Sequence, residues 1–241
     1  MTVLLENLGK RFGDGAPVLD GVNATIRSGE FVALLGASGC GKSTLLNIIA
    51  GLERPTAGAL EVPADGAAFM FQDAALYPWL TARGNIELAL KLRGLAKTER
   101  RTRAKELLDL VHLGEAADKR PHELSGGMRQ RVALARALSQ DREVLLMDEP
   151  FAALDAITRD LLHEELTRIW RETGRTIIFV THNVREAVRL GQRVLLLSSR
   201  PGRVVSAWDV PGAVKDDAAA AATLTADITA RLREEIRRHG K

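Results

Sequence analysis

An open, mostly parallel α/β sheet with an inserted helical segment is the fold the sequence predicts, and three observations predict it. Short apolar runs recur along the chain: Phe31–Leu35 (FVALL), Val144–Met147 (VLLM), Thr176–Val180 (TIIFV) and Arg193–Leu197 (RVLLL). Continuous runs of this kind mark strands covered on both faces, as in parallel sheets, whereas a half-wet strand alternates. Helically spaced apolar residues lie between the runs, giving strand–helix alternation. The segment from about Thr81 to Glu123, by contrast, contains no strand-like run.

Each element follows from its local pattern. The first thirty residues and Ala57–Phe71 (AGALEVPADGAAFMF) read as short strands and turns, with PADG as a turn signal. After the first core strand, Leu45, Leu46, Ile48 and Ile49 fall on one helical face. In the inserted segment Ala104, Leu107, Leu108 and Val111 have the i, i+3, i+4, i+7 spacing of an amphipathic helix. Between Leu154 and Gly174, the residues Leu161, Leu162, Leu166, Ile169 and Trp170 repeat at helical spacing, and Gly174 is the stop. From Pro211 the chain reads as a loop, then a helix that docks loosely or extends away; its alanine run suggests no function. The expected division is an α/β core with a β subdomain at 1–80 and 137–212, a helical subdomain at 81–136, and a helical C-terminal tail at 213–241.

Composition narrows the functional classes. The chain has 241 residues, 46% hydrophobic and 27% charged, which suits a globular protein with a large core. Its 34 basic residues against 31 acidic ones give a net charge of +3, too small an excess for a nucleic-acid footprint. A single cysteine, Cys40, rules out an intrachain disulfide framework. The longest uncharged core run, Phe31 to Gly41, falls well short of the roughly 18 apolar residues of a membrane-spanning helix. The start, MTVLLENLGKRF, lacks the basic and apolar regions of a signal peptide. The expectation is a cytoplasmic protein that does not enter a bilayer by itself.

The chemistry begins at GASGCGKST, Gly36–Thr44, which fits G-x-x-x-x-G-K-[ST] between a strand and a helix. Gly36, Gly39 and Gly41 let backbone N–H groups turn inward around phosphate oxygens, with Ser38 and Cys40 between them. The helix that follows adds its positive N-terminal end. Lys42 brings a full charge to the β- and γ-phosphates, Ser43 offers a hydroxyl to Mg²⁺, and Thr44 can bond a phosphate oxygen nearer the ribose. The competing reading is a glycine-rich turn; motif and context together argue against it. Cys40 reads as a small loop residue and not as a redox centre. At VLLMDEP, Asp148 ends a buried strand where a carboxylate can hold Mg²⁺ through a water, and Glu149 can face an attacking water. Phosphoryl transfer asks mainly for positioning and charge stabilisation, which these parts provide.

A second anion grip follows at LSGGMRQRVALARAL, Leu124–Leu138, where Ser125, Gly126 and Gly127 open a helical pattern. GASGCGKST, Gln72, LSGGMRQ, LLMDEP, ALDA (153–156) and His182 occur in the order and approximate spacing of the ATP-binding subunit of ATP-binding-cassette (ABC) transporters. The resemblance covers residues 1 to about 205, and LSGG is its discriminating part. It implies a P-loop NTPase (ABC ATPase) core with a parallel sheet, an N-terminal antiparallel β part and an inserted helical subdomain. It further implies that two chains pack head to tail. ATP then lies between the phosphate loop of one chain and Ser125, Gly126 and Gly127 of the other.

Further residues carry over from the resemblance one at a time. Gln72 resembles the glutamine that senses Mg²⁺ and faces the membrane subunit. His182, after the strand TIIFV, looks like the switch histidine that contacts the γ-phosphate and orients the water. Asp155 resembles the aspartate that links the two sites across the dimer, or it caps the following helix. Phe12 sits where the family stacks an aromatic on adenine, or it is a buried core residue. The chain departs from the family pattern with Met128 in the signature, Asn183 after the histidine, and a short stretch from Leu60 to Phe71, which puts the strand layout there in doubt.

One cassette without a membrane span implies a second ATP-binding subunit, in the economical case an identical copy. It also implies two membrane permease subunits and, indirectly, an extracytoplasmic solute-binding protein. The expected location is peripheral, on the cytoplasmic face of the membrane. FQDAALYPWLT (Phe71–Thr81), DEPFAALDAITRD (148–160) and LSSRPGRVV (Leu197–Val205) resemble the nitrate, taurine and alkanesulfonate importers, with the pyrimidine-precursor importers also similar. Tyr77, Pro78 and Trp79 then lie on the surface facing the membrane subunit, although core packing of Trp79 is an equal alternative. An exporter cassette, a non-transport ABC ATPase and a P-loop kinase are the rival readings. The absence of a basic groove or long coiled coil weighs against the second, and LSGG against the third.

Overall fold

The computed structural model describes residues 3–152 and 154–239, with nothing said of the side chain of His239. Ala153, part of the ALDA motif, and the last two positions of the tail lie outside the described residues. Three strands, β1 (Val3–Lys10), β2 (Leu19–Ile26) and β4 (Ala57–Glu61), form an antiparallel sheet in the order β2-β1-β4. The main sheet has six strands: β3 (Phe31–Leu35), β5 (Ala67–Met70), β6 (Val144–Asp148), β7 (Thr176–Val180), β8 (Arg193–Leu197) and β9 (Val204–Asp209). Their order is β5-β6-β7-β3-β8-β9, parallel throughout except for the antiparallel edge strand β9.

The continuous apolar runs are explained by what covers each face. Alternate residues of the central strands point in opposite directions. On one face Val32, Leu34, Leu146, Ile178 and Val180 pack with helix α1 (Lys42–Ile49) and with Val3, Leu5 and Leu8 of β1. On the other, Phe31, Leu145, Met147, Ile177 and Phe179 pack with the helices of the inserted segment and those that follow it. These are α2 (Ala82–Leu92), α3 (Lys97–Leu110), α4 (Gly126–Leu138) and α5 (Ala156–Thr173). Ala104, Leu107, Leu108 and Val111 are all buried there, as their spacing predicts. The short Leu60–Phe71 stretch holds the end of β4, a turn closed by Gly66 N–H to the Pro63 carbonyl, and β5.

The structure corrects two local expectations. Leu161 is 52% exposed while Leu162 is buried, because successive residues on a helix are rotated by about 100° and the buried stripe of this helix is too narrow to take in Leu161. After Pro211 the chain forms a short helix α7 (Gly212–Asp216) instead of a loop; of the two expectations for the helix that follows, α8 (Ala218–His239) takes the docked one. Ile228 of α8 is fully buried against Val184, Ala187 and Val188 of α6 (Val184–Leu190). Gly174 ends α5 with φ of 62°, the left-handed C-cap that its position in the sequence predicts. Among the described residues no helix is long and apolar enough to cross a membrane.

Candidate nucleotide site

The parallel strands deliver the chemistry to one edge, outside their carboxyl ends, where open α/β sheets bind ligands. The loop Gly36–Gly41 leaves β3, Gln72 follows β5, Asp148 ends β6 with Glu149 next in the chain, and His182 follows β7. A cleft of about 470 Å³ opens there. Of the sequence-predicted residues it is lined by Phe12, Ser38, Gly39, Gly41, Lys42, Ser43, Thr44, Gln72 and Glu149, while Asp148 and His182 lie outside its wall. A larger groove, about 1130 Å³, runs between α6 and α8 and reaches His182 at one end. Chemistry, not size, distinguishes the first.

Gly41 caps α1 with φ of 106°, a conformation open to glycine, and a Cβ there would meet Leu19 Cδ2 at 2.7 Å. No side chain caps the start of α1, so its first N–H groups stay directed into the cleft. Lys42 is buried, and its Nζ donates to the carbonyls of Gly36 and Ala37, each at 2.9 Å. The ammonium is thus held inside the loop's own curve. Gly36 and Cys40, both expected among the nucleotide-holding residues, lie beneath the loop and not on the cleft wall. Gly36 is buried, and the Cys40 N–H donates to the Ala37 carbonyl. The Cys40 thiol is buried; burial pushes its pKa up, against the opposing charge of Lys42, which fits an inert loop residue.

Asp148 is hydrogen-bonded to the Ser43 side chain. Burial raises its pKa, the Ser43 bond and Lys42 lower it, and neighbouring Glu149 adds to the rise. A carboxylate kept this dry favours a cation beside it. The donor set fits Mg²⁺, which prefers oxygen ligands and is usually held by one or two carboxylates plus substrate phosphates. Among the described residues there is no cluster of three or more histidine, cysteine or acidic side chains that could hold a metal ion. Glu149 has φ of 43°, and its Oε2 lies 2.9 Å from Nδ1 of His182. The arrangement places a carboxylate on the cleft wall with an imidazole held against it.

Phe12 is 49% exposed, which removes the core alternative, and Lys10 Nζ sits 4.7 Å from its ring centroid. Trp79 is 68% exposed, so the core alternative for it fails too; its ring lies 5.5 Å from that of Tyr77. Ser125 caps α4, its hydroxyl accepting from Met128 N–H at 3.2 Å. A Cβ on Gly127 would lie 2.4 Å from Thr158 Cγ2, so the glycine allows α4 to press against α5. Asp155 caps α5 by accepting from Thr158 N–H at 2.9 Å, and hydrogen bonds from Thr158 hold its carboxyl below the usual range. Ser125, Gly126, Gly127 and Asp155 all lie outside the cleft of the phosphate loop.

Sequence reasoning missed Arg200 and Val18, which also line the cleft. Arg200 donates from Nε to the Gly39 carbonyl at 2.8 Å, bracing the loop. The signal was positional, since Arg200 follows β8, the parallel neighbour of β3.

A parallel sheet carrying a glycine-rich phosphate loop, with paired acids on the next strand but one, defines a P-loop nucleoside triphosphatase. The family described as ABC transporter matches residues 19–152. The taurine import ATP-binding protein TauB of Mesorhizobium japonicum is 47% identical over 207 residues, covering 83% of this chain and 80% of that one. The bicarbonate transport ATP-binding protein CmpC of Synechococcus elongatus is 49% identical over 213 residues, 83% of this chain but only 32% of that longer protein. A solved dimeric structure of an ATP-binding cassette in a post-hydrolysis state, bound to ADP and Pi, has a TM-score of 0.76 at 36% identity. It covers 87% of this chain and 99% of that one. The chain belongs to the ABC transporter family, as an ATP-binding and ATP-hydrolysing cassette.

Proposed function

We propose that this cassette powers an importer, and that two copies close head to tail around two ATP molecules. One observation carries the dimer reading: the chain has two anion grips, and they do not meet. Gly126 opens onto a second depression with Ala74, Arg129, Gln130 and Leu154, which adjoins the phosphate-loop cleft at Gln72 but contains none of the phosphate-loop residues. A second copy would bring Ser125, Gly126 and Gly127 to the γ-phosphate held by Lys42. A helix N-terminus favours an anion by about 0.3–1 kcal/mol when exposed and up to about 2 kcal/mol when partly buried. That contribution exists only while the γ-phosphate is present, so ATP favours the closed dimer and hydrolysis releases it. Asp155 would link the two sites, and Ile157 and Leu161, four apart on α5, leave exposed apolar side chains beside it.

Within each site Gly36, Ser38, Gly39, Cys40 and Gly41 shape the loop. Lys42 and Thr44 bond the phosphates, and Phe12 stacks on the adenine. Ser43 and Asp148, with Gln72 beside them, would hold Mg²⁺, which supplies positive charge to the phosphate oxygens. Glu149 takes a proton from the attacking water as its oxygen bonds the γ-phosphorus and the bond to the β–γ bridging oxygen breaks, giving ADP and phosphate. His182 Nδ1–H donates to Glu149 and holds that carboxylate in place. A positioned general base contributes about 10²–10⁴-fold to rate.

The division into a core at 1–80 and 137–212, a helical subdomain at 81–136 and a tail at 213–241 assigns the phosphate loop to the core and the Ser125–Gly127 grip to the helical subdomain. Tyr77, Pro78 and Trp79 form the face toward two membrane permease subunits, with the cassette on the cytoplasmic side and a solute-binding protein acting across the membrane. Similarity to taurine import and bicarbonate transport cassettes favours import of a small solute of the taurine, alkanesulfonate or nitrate group. The test is growth of a deletion strain on each solute as sole sulfur or nitrogen source, complemented with wild type or Glu149→Gln. Growth lost on one source and restored only by wild type supports the reading. Normal growth on every source in a strain without a redundant system removes the assigned solutes.

A further inference from the structure

His182 stands on a turn whose support comes from side chains that the mechanism above leaves unused. The Thr181 hydroxyl donates to Glu186 Oε2 and accepts the Asn183 N–H at 3.0 Å, so one oxygen closes the turn on both sides of His182. The Thr181 N–H is tied to the Leu34 carbonyl of β3 at 3.2 Å. The second oxygen of Glu186, Oε1, lies 2.7 Å from Nε2 of His163, which donates to it from α5. His163, Glu186 and Thr181 are 3%, 7% and 2% exposed. Buried polar groups persist where they are bonded, and here each bond of the carboxylate serves the turn or its anchor. The His163 ring also meets Phe151 edge-on, at 5.3 Å between centroids. Phe151 follows Glu149 by two residues, so α5 touches the segments that carry both members of the Glu149–His182 contact. Glu149, Phe151, Arg159, Thr181, His182 and Glu186 enclose one small cavity of about 30 Å³ between them.

We infer that His163, Glu186 and Thr181 form a positioning chain. It fixes the turn of His182, and through it the orientation of the Glu149 carboxylate for water activation. The inference rests on the proposed roles of Glu149 and His182. None of the three residues touches nucleotide in this scheme; they act through His182. A displacement of about 1 Å at a catalytic group can cost about 10²-fold in rate. Loss of one link should therefore lower kcat while leaving ATP capture alone.

The experiment is steady-state Mg–ATP hydrolysis by the whole chain, with equilibrium ATP binding and a thermal melt for each variant. Thr181→Val deletes one oxygen and keeps the side-chain shape. His163→Phe keeps the ring against Phe151 and deletes the Nε2 donor, and His163→Gln restores a donor at that position. Thr181→Val and His163→Phe are expected to lower kcat about tenfold or more, with KM for ATP within about twofold of wild type. His163→Gln is expected to recover most of the loss. Each variant is also made in a His182→Ala background and measured by single turnover, where the residual rate is low. There the further loss should shrink to less than about twofold, because the chain then has nothing to position.

Wild-type kcat in folded Thr181→Val and His163→Phe overturns the positioning chain. So does a rate loss that persists undiminished in the His182→Ala background, since that is the mark of a general structural role. If His163→Phe does not fold, Thr181→Val decides. Glu149→Gln reports on the parent reading by itself. Hydrolysis lost there, with wild-type rates in the chain variants, removes only the positioning chain; wild-type hydrolysis in Glu149→Gln removes the reading beneath it.

Discussion

The side-chain amide of Gln130 donates to the backbone carbonyl of Gln72 at 2.9 Å, which fastens the signature helix α4 to the loop after β5. Arg136, also on α4, extends the fastening by donating to the carbonyls of Ala75 at 2.7 Å and Ala74 at 2.9 Å. Its guanidinium lies 5.9 Å from the Tyr77 ring centroid. The residues that open the second anion grip and the exposed aromatic pair Tyr77–Trp79 therefore belong to one packed body. A push on the aromatic loop would be felt at Ser125 without any flexible link between them.

Arg136→Met tests that body. The substitution keeps an unbranched stem against the loop but leaves two carbonyls without their donors. Water can replace the donor at the exposed Ala75 carbonyl, but the Ala74 carbonyl is partly buried, and an unsatisfied acceptor of that kind costs about 1–3 kcal/mol. Denaturant unfolding is expected to show a loss in that range, and hydrogen exchange is expected to quicken at 72–79 while α1 and the phosphate loop stay protected. ATP affinity should hold, since Arg136 does not line the phosphate-loop cleft.

Glu149→Gln separates binding from chemistry. The amide retains size and can still meet His182, but it cannot take a proton from water. Turnover is expected to fall by about 10²-fold or more, with ATP binding intact. Because the γ-phosphate is then never lost, sedimentation with saturating ATP should show a stable dimer. A monomer under those conditions would count against the sandwich. Lys42→Ala is expected to fail earlier, at binding, since bonds from a charged donor to phosphate contribute about 1.5–3 kcal/mol each.

Ser125→Arg addresses the second grip alone. Ser125 is exposed and distant from the cleft of its own chain, so each monomer should still bind ATP. Hydrolysis should be lost, because a long side chain now occupies the place where the partner's γ-phosphate would meet the α4 N-terminus. Mixing this variant with Lys42→Ala in equal amounts is expected to restore partial activity, as one kind of mixed dimer retains a single site with both grips intact. Full activity in Ser125→Arg by itself would remove the trans contact.

The core strands and the phosphate loop were legible because each is written in consecutive residues. Five apolar positions in a row specify β3 and four after Thr176 specify β7, and GASGCGKS specifies the strand-to-helix loop between β3 and α1. Whatever depended on residues distant in sequence was not legible. Arg200 reaches Gly39 across 161 positions, and His163 meets Glu186 across 23. No local pattern distinguishes such a histidine from a surface one. Leu161 misled for a related reason: spacing gives a helical face but not how wide a stripe the sheet will cover. The tail left two readings open because a run of alanines fits a docked helix and a free one equally well; the structure docks it through Ile228, with Ala221, Leu224 and Leu232 packed beside it.

Lys215 offers a stability test away from the site. It lies on α7, and its ammonium donates to the Leu190 carbonyl at the end of α6 at 2.8 Å. Burial lowers its pKa from 10.5 to about 8, and the nearby charge of Arg171 lowers it further in the same direction. Glu164 and Glu172 line the same depression but form no ion pair with Lys215 among the described residues, and Arg168 and Arg189 there bring like charge. Between pH 8 and 10.5 the unfolded chain holds a proton that the folded chain has released, so wild-type stability rises with pH across that window. Below it, keeping the ammonium charged in a partly dry site opposes folding by about 3 kcal/mol at face value. Lys215→Met removes that opposition together with a hydrogen bond of about 1–2 kcal/mol. The variant is expected to be more stable at pH 7 by about 1 kcal/mol, a rise of about 2–4 °C in thermal midpoint. Its advantage should shrink as pH climbs past 8 and change sign by pH 10.5, where wild type keeps the bond and no longer carries the charge. Thermal melts of both proteins across this range read the effect directly, and a pH-independent difference would show that the burial of Lys215 does not govern it.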